Sequence, residues 1–261
     1  MLVALCVPGT VIAWEYLTGV HAAEPVKAII KAAGLWTIRL LFVALAVTPL
    51  AQALRWPSLA LVRRMIGVAA FAYAALHLAA FAADKMFDPA VVAREIALRI
   101  YLTIGMATWL VLAALAATST DAAVRRMGRR WRTLHRAVYA AALLAVVHFF
   151  LQTRLDVSEP VVMAGFLIWL AAYRAMLWRA GPRRATAPEA LALLAAGAGT
   201  LSALGEALYF HLRTGVPPLR LLEAHLTLAT GLRPGWIVLG AGLAVAAATL
   251  GAHWKPRRAT A

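Results

Sequence analysis

Residues 134–151 read LHRAVYAAALLAVVHFFL. Beyond Arg136 the run is apolar except for Tyr139 and one histidine, His148, and it shows no strict alternation of polar and apolar positions. A strand of a membrane barrel needs only about 9–11 residues, whereas a helix needs about 20 to cross the hydrocarbon. The stretch therefore reads as a membrane-spanning helix with a histidine inside it. Similar runs lie near 2–19, 35–54, 65–83, 100–118, 160–178, 189–212 and 235–254. The expected fold class is all-α, a polytopic transmembrane helix bundle of about eight spans. Composition agrees: of 261 residues 63% are hydrophobic and 14% charged, against about 25% charged in soluble domains, which excludes a soluble enzyme. The opening run, MLVALCVPGTVIAW, has no basic residues ahead of its apolar stretch. It reads as a first spanning helix rather than a cleaved signal peptide, and its abrupt start leaves room for a missing N-terminal stub.

The formal net charge of +15, from 26 Lys and Arg against 11 Asp and Glu, would suggest nucleic acid in a water-soluble chain. Here the basic residues alternate from loop to loop. With a cytoplasmic N-terminus, the inner loops near 55–64, 125–136, 179–184 and 255–258 carry fifteen and the outer loops nine. That asymmetry predicts cytoplasmic N- and C-termini and no nucleic-acid partner. It leaves the arginines of 125–136 as an orientation signal and a contact for anionic membrane lipid or a cofactor carboxylate. The single cysteine, Cys6, excludes an internal disulfide. No internal repeat is visible. The one break in composition, RAGPRRATAP, suggests a basic linker over 179–188 between a domain at 1–178 and two further helices at 189–261. The stretch VPPLRLLEAHLTLATGLRP, 216–234, suits an interfacial, partly helical loop, to which the sequence assigns no function.

An ionisable side chain inside a spanning helix is a functional hypothesis by default. Of seven histidines only His77, in FAYAALHLAAF, and His148 lie well within apolar runs. His77 stands 13 residues beyond Arg64 and His148 stands 12 beyond Arg136, so at ~1.5 Å per residue both sit about 18–20 Å up their helices. Two imidazoles facing each other at one level can ligate the iron of a metal porphyrin from both sides. Ala74, Ala80 and Ala145, three positions away, leave space for a flat macrocycle. Bridging of helices by hydrogen bonds alone is the other reading of these histidines. His135, about 19.5 Å before His148, projects ~140° away from it on a straight helix. It suits a second haem near the inner surface, a contact for an electron donor, or a plain arginine-flanked interfacial position. Arg39, Arg63 and Arg64 are candidates to pair with porphyrin carboxylates.

The segments EPVK (24–27), AVTPL (46–50), RRMIG (63–67), ALHL (75–78), YLTIG (101–105), LAATSTD (115–121) and GRRWRTLHRAVYAAALLAVVHF (128–149) give the chain, from about 8 to 178, a specific resemblance. It resembles the MsrQ (YedZ-like) haem-binding membrane subunits of the periplasmic methionine sulfoxide reductase system, within the ferric reductase-like transmembrane superfamily. The resemblance implies a six-helix ferric reductase-like core plus two C-terminal helices in the bacterial inner (plasma) membrane. It implies one or two b-type haems, with the family's histidines falling on His77, His135 and His148, and flavin mononucleotide (FMN) is associated with the family. It further implies electron transfer from the quinone pool or a flavin reductase to a molybdopterin-containing methionine sulfoxide reductase subunit in the periplasm. The membrane subunit would itself have no substrate-transforming site.

Two features depart from that pattern. Fourteen residues before His77, where the superfamily often has another histidine, stands Arg63. An inner haem on His135 would then be five-coordinate or borrow another group, such as His253. The two helices after Pro188 are additional. Alternatives are a stand-alone ferric, metal or quinone reductase, which the lack of a GxGxxG loop disfavours, or a non-redox transporter or structural membrane protein. Against a transporter, the intramembrane carboxylates are few, with Glu15 and Glu206 the main candidates.

Overall fold

A computed structural model describes residues 1–153, 156–227 and 231–254. Among the described residues there is no strand, and the helices are α1 (Leu2–Leu17), α2 (Pro25–Ala53), α3 (Arg63–Asp84), α4 (Pro89–Leu98), α5 (Ile100–Ala117), α6 (Asp121–Met127), α7 (Arg129–His135), α8 (Val138–Gln152), α9 (Ser158–Ala185), α10 (Pro188–Thr214), α11 (Pro218–His225) and α12 (Pro234–Trp254). Among the described residues seven helical stretches are long and apolar enough to cross a membrane: 25–53, 57–84, 100–117, 129–152, 158–185, 188–214 and 234–251. The chain is a multi-pass membrane protein. The expected eighth span, α1, has 16 residues, about 24 Å at 1.5 Å each, short of the ~20 residues a crossing requires.

Local chemistry sets the boundaries. Asp88 caps α4 by accepting from the amides of Ala90 and Val91 at 2.8 and 3.1 Å, with Pro89 at the first helical position, where no amide partner is needed. Thr120 caps α6 from the Ala123 amide. Residues 179–188, expected as a linker, are helical as far as Ala185: α9 runs on through them, bent at Gly181, whose φ of +79° a residue with a side chain rarely adopts.

The chain divides into two compact units, Met1–Ala44 with Val62–Gln152, and Leu45–Leu61 with Thr153–Ala261. In the first, α1 is fastened to α3 by Tyr73. Its hydroxyl accepts from the Gly9 amide at 2.7 Å and donates to the Leu5 carbonyl at 2.8 Å, entering the backbone ladder of α1 beside Pro8. The helices α5 and α8 pack against each other, and α3 packs against α5.

In the second unit α10 and α12 cross closely where Gly199 and Gly235 face each other. A Cβ on either would lie 2.9 Å from the other's carbonyl oxygen, the small-residue approach typical of helices in lipid. The buried Tyr173 on α9 donates to Gln52 at 2.8 Å. The loop 216–234 forms α11 and carries a buried ionic cluster. Glu206, fully buried on α10, has His225 Nε2 at 3.2 Å and an Arg233 guanidinium nitrogen at 3.4 Å. His225 Nδ1 donates to the Leu221 carbonyl at 2.9 Å.

Candidate functional site

His77 sits on α3, half-buried. Its Nδ1 lies 2.7 Å from the carbonyl oxygen of Ile30 on α2. A carbonyl only accepts, so Nδ1 carries the hydrogen and Nε2 keeps a bare lone pair. His148 on α8 repeats the arrangement, with Nδ1 donating to the Tyr101 carbonyl on α5 at 2.7 Å. This partnership, in which the far nitrogen is fixed by a backbone carbonyl, is the usual one for an imidazole that binds metal through its other nitrogen.

The two rings face each other with centroids 6.3 Å apart and planes at 88°. A metal midway, bonded at about 2 Å to one nitrogen of each ring whose centre lies about 1 Å further back, calls for centroids about 6 Å apart. The pair therefore fits axial ligation from two sides. Among the described residues no group of three or more His, Cys, Asp or Glu could hold a metal ion. Ala74, Ala80 and Ala145, expected to leave space beside the rings, are buried at 6, 8 and 9% exposure.

The structure does not bring His135 to this pair. It ends α7, and the chain turns at Arg136 and Ala137 before α8 begins, so His135 and His148 do not share one straight helix. The His135 ring stacks on Trp131 at 3.9 Å, and its Nε2 lies 3.2 Å from the Thr118 hydroxyl, while the Trp131 indole donates to the Thr118 carbonyl at 2.8 Å. Arg63 and Arg64, at the start of α3, act electrostatically on His135, and Arg64 is paired with Asp121. Arg39 lies mid-helix rather than near a helix end, because α2 begins ten residues earlier than the apolar run suggests; its guanidinium sits 5.4 Å from the centre of the Trp36 ring. The side chain of His253 and the basic residues Lys255, Arg257 and Arg258 lie outside the described residues.

Ile30 and Tyr101, which orient the two imidazoles, escaped the sequence reading, although a signal for them exists. Ile30 to His77 and Tyr101 to His148 are both separations of 47 residues. At a constant offset of 71, Gly34, Thr37, Leu41, Ala70, Ala74 and His77 recur as Gly105, Thr108, Leu112, Ala141, Ala145 and His148. At the same offset Ile30, whose carbonyl holds His77, corresponds to Tyr101, whose carbonyl holds His148. In this register Arg64 occupies the place of His135.

Fold and site together define a helical membrane protein built around two facing imidazoles. Residues 33–146 match the family described as ferric reductase like transmembrane component, a match that includes His77 and His135 and ends two residues before His148. The Bordetella pertussis protein-methionine-sulfoxide reductase heme-binding subunit MsrQ is 40% identical over 160 residues, covering 60% of this chain and 78% of that protein. The proteins of the same name from Azospira oryzae and Caulobacter vibrioides are 38% identical over 191 residues (70% of this chain, 82% of theirs) and 39% over 180 (68% and 83%). No solved structure matches the chain. This chain belongs to the MsrQ family of ferric reductase-like membrane proteins.

Proposed function

We propose that this chain is the electron-transfer subunit of a methionine sulfoxide reductase system in the bacterial inner (plasma) membrane, with a b-type haem held between His77 and His148. The observation that carries the reading is the facing of two rings whose Nδ1 atoms both donate to backbone carbonyls, which leaves two Nε2 lone pairs free to bind iron from opposite sides. The names of the relatives, which are heme-binding subunits, support it. When bound, haem supplies one-electron exchange between ferric and ferrous iron. The apolar helices around the pair exclude water, and the carbonyls of Ile30 and Tyr101 hold the rings in place so that little reorganises when charge arrives.

With N- and C-termini in the cytoplasm, as the basic loops favour, the His77–His148 pair lies toward the periplasmic face. That placement suits delivery to a periplasmic, molybdopterin-containing methionine sulfoxide reductase subunit. The donor is the quinone pool or a flavin reductase, with FMN as a further cofactor, and His135 is placed at the inner end as the ligand of a second haem or as a contact for that donor. Arg39, Arg63 and Arg64 supply positive charge for cofactor carboxylates, and the arginines of 125–136 meet anionic lipid.

The test is the absorption spectrum of the purified protein, oxidised and then dithionite-reduced, for the native chain, His77→Ala and His148→Ala. The native chain gives haem bands that shift on reduction, and each variant loses the contribution of the haem held between His77 and His148. A colourless native preparation from haem-sufficient cells, or variants with native haem content and spectra, would overturn the reading.

A further inference from the structure

We propose that Gly34 and Gly105 are positioning residues, each setting one of the two facing imidazoles by leaving room for its Nδ1–H to reach a backbone carbonyl of the neighbouring helix. Ring placement follows from this chain's own packing; its effect on a cofactor rests on the reading above.

Ile30 lies four residues before Gly34, and Tyr101 four before Gly105. In a helix the Cβ leans toward the N-terminus, over the preceding turn. A side chain at position i+4 therefore crowds the approach to the carbonyl of residue i. A Cβ on Gly34 would lie 2.9 Å from His77 Nδ1 and 3.1 Å from its Cε1, and a Cβ on Gly105 would lie 2.9 and 2.8 Å from the same atoms of His148. Such separations are too short for carbon against a ring, so with alanine at either position the imidazole must move off its carbonyl. Glycine in a helix interior costs about 1 kcal/mol relative to alanine, and both half-sites retain it. The fold uses the device a third time, where Tyr73 reaches the Leu5 carbonyl past Gly9, whose Cβ would meet the hydroxyl at 3.2 Å. Gly67, on α3 itself, and Gly197 have open space around them.

The Nδ1–H···O=C bond fixes the tautomer and makes Nε2 a stronger electron donor to iron. An electron-rich ligand favours the ferric state, so weakening that bond raises the midpoint potential.

The experiment uses the full chain in lipid nanodiscs, labelled with 15N-histidine and reduced with dithionite. The native protein, Gly34→Ala, Gly105→Ala and the control Gly67→Ala are compared by NMR of the Nδ1–H resonances, assigned with His77→Gln and His148→Gln, and by redox titration. The expected result is half-site selectivity: Gly34→Ala shifts or abolishes the Nδ1–H resonance of His77 alone, Gly105→Ala does so for His148 alone, each raises the midpoint potential, and Gly67→Ala matches the native protein. Native Nδ1–H resonances and potential in both variants would overturn the proposal while leaving haem binding intact. If the variants fail to accumulate, the native protein decides, because failure to observe hydrogen-bonded Nδ1–H resonances for His77 and His148 also overturns it. Selective resonance shifts in a protein that binds no haem would support the positioning role and overturn the proposed function instead.

Discussion

The imidazole planes of His77 and His148 cross at 88°, and each is held there by a 2.7 Å bond from Nδ1 to a backbone carbonyl. Perpendicular axial rings leave the two iron d orbitals that accept ligand π density nearly equal in energy. The oxidised protein is therefore expected to give a strongly anisotropic low-spin ferric signal in electron paramagnetic resonance. A nearly rhombic spectrum, typical of parallel ring planes, would contradict this geometry.

His135 is packed between Trp131 and the Thr118 hydroxyl, away from the facing pair. His135→Ala should leave the spectrum and content of a haem on His77 and His148 unchanged while slowing its reduction by quinol or by a reduced flavin donor. Stopped-flow absorbance measures the rate; reduction at the native rate by both donors would remove His135 from the electron path.

Glu206 is fully buried with His225 and Arg233 as ionisable neighbours, and Asp156 also acts on it. Removing one partner of a buried ionic cluster is typically destabilising by about 3–5 kcal/mol, because the remaining charge is stranded. Glu206→Ala should lower the thermal stability of the second unit in detergent, with loss of protection in α11 by hydrogen exchange. The double change Glu206→Leu with His225→Leu should be less harmful than the two single effects combined.

Asp121 lies in α6, outside the spans, and the Arg64 guanidinium holds its carboxyl below the usual carboxylate range. A depressed folded pKa contributes stability that is present above the unfolded value of about 3.9 and is lost as pH falls through the depressed one. Protection of the α6 amides, taken relative to their intrinsic exchange rate at each pH, should thus fall only in strong acid. Arg64→Gln should move the Asp121 titration, followed by carboxyl NMR, up toward its ordinary value.

Tyr73 supplies both a donor and an acceptor to the backbone of α1. Tyr73→Phe removes two hydrogen bonds at about 0.5–1.5 kcal/mol each. It should increase hydrogen exchange in α1 while leaving α5 and α8 unaffected; equal protection in α1 would show that apolar packing alone holds it.

The long apolar runs made the class of fold legible, because lipid offers backbone groups no partners and forces the chain into helices. His77 and His148 were legible for the same reason, since an imidazole in hydrocarbon stands out, and counting from Arg64 and Arg136 placed them at one depth. The short α1, the early start of α2 at Pro25 and the helical continuation of α9 through 179–185 were not. Apolar composition reports burial in lipid, whereas helix ends are set by caps, prolines and glycines. The common 71-residue offset of Gly34 with Gly105 and of His77 with His148 stood in the sequence among few other identities.

The sequence by itself determined that this chain crosses a membrane as helices and that two histidines are stationed within it, because hydropathy and helical rise depend only on local order. Tertiary structure alone decided that those rings come to lie with centroids 6.3 Å apart, which carbonyls hold them, and that Glu206 meets His225 and Arg233. Each of those facts depends on the rotation of one helix against another, and a linear pattern fixes which residues lie on a face but not which face it will meet.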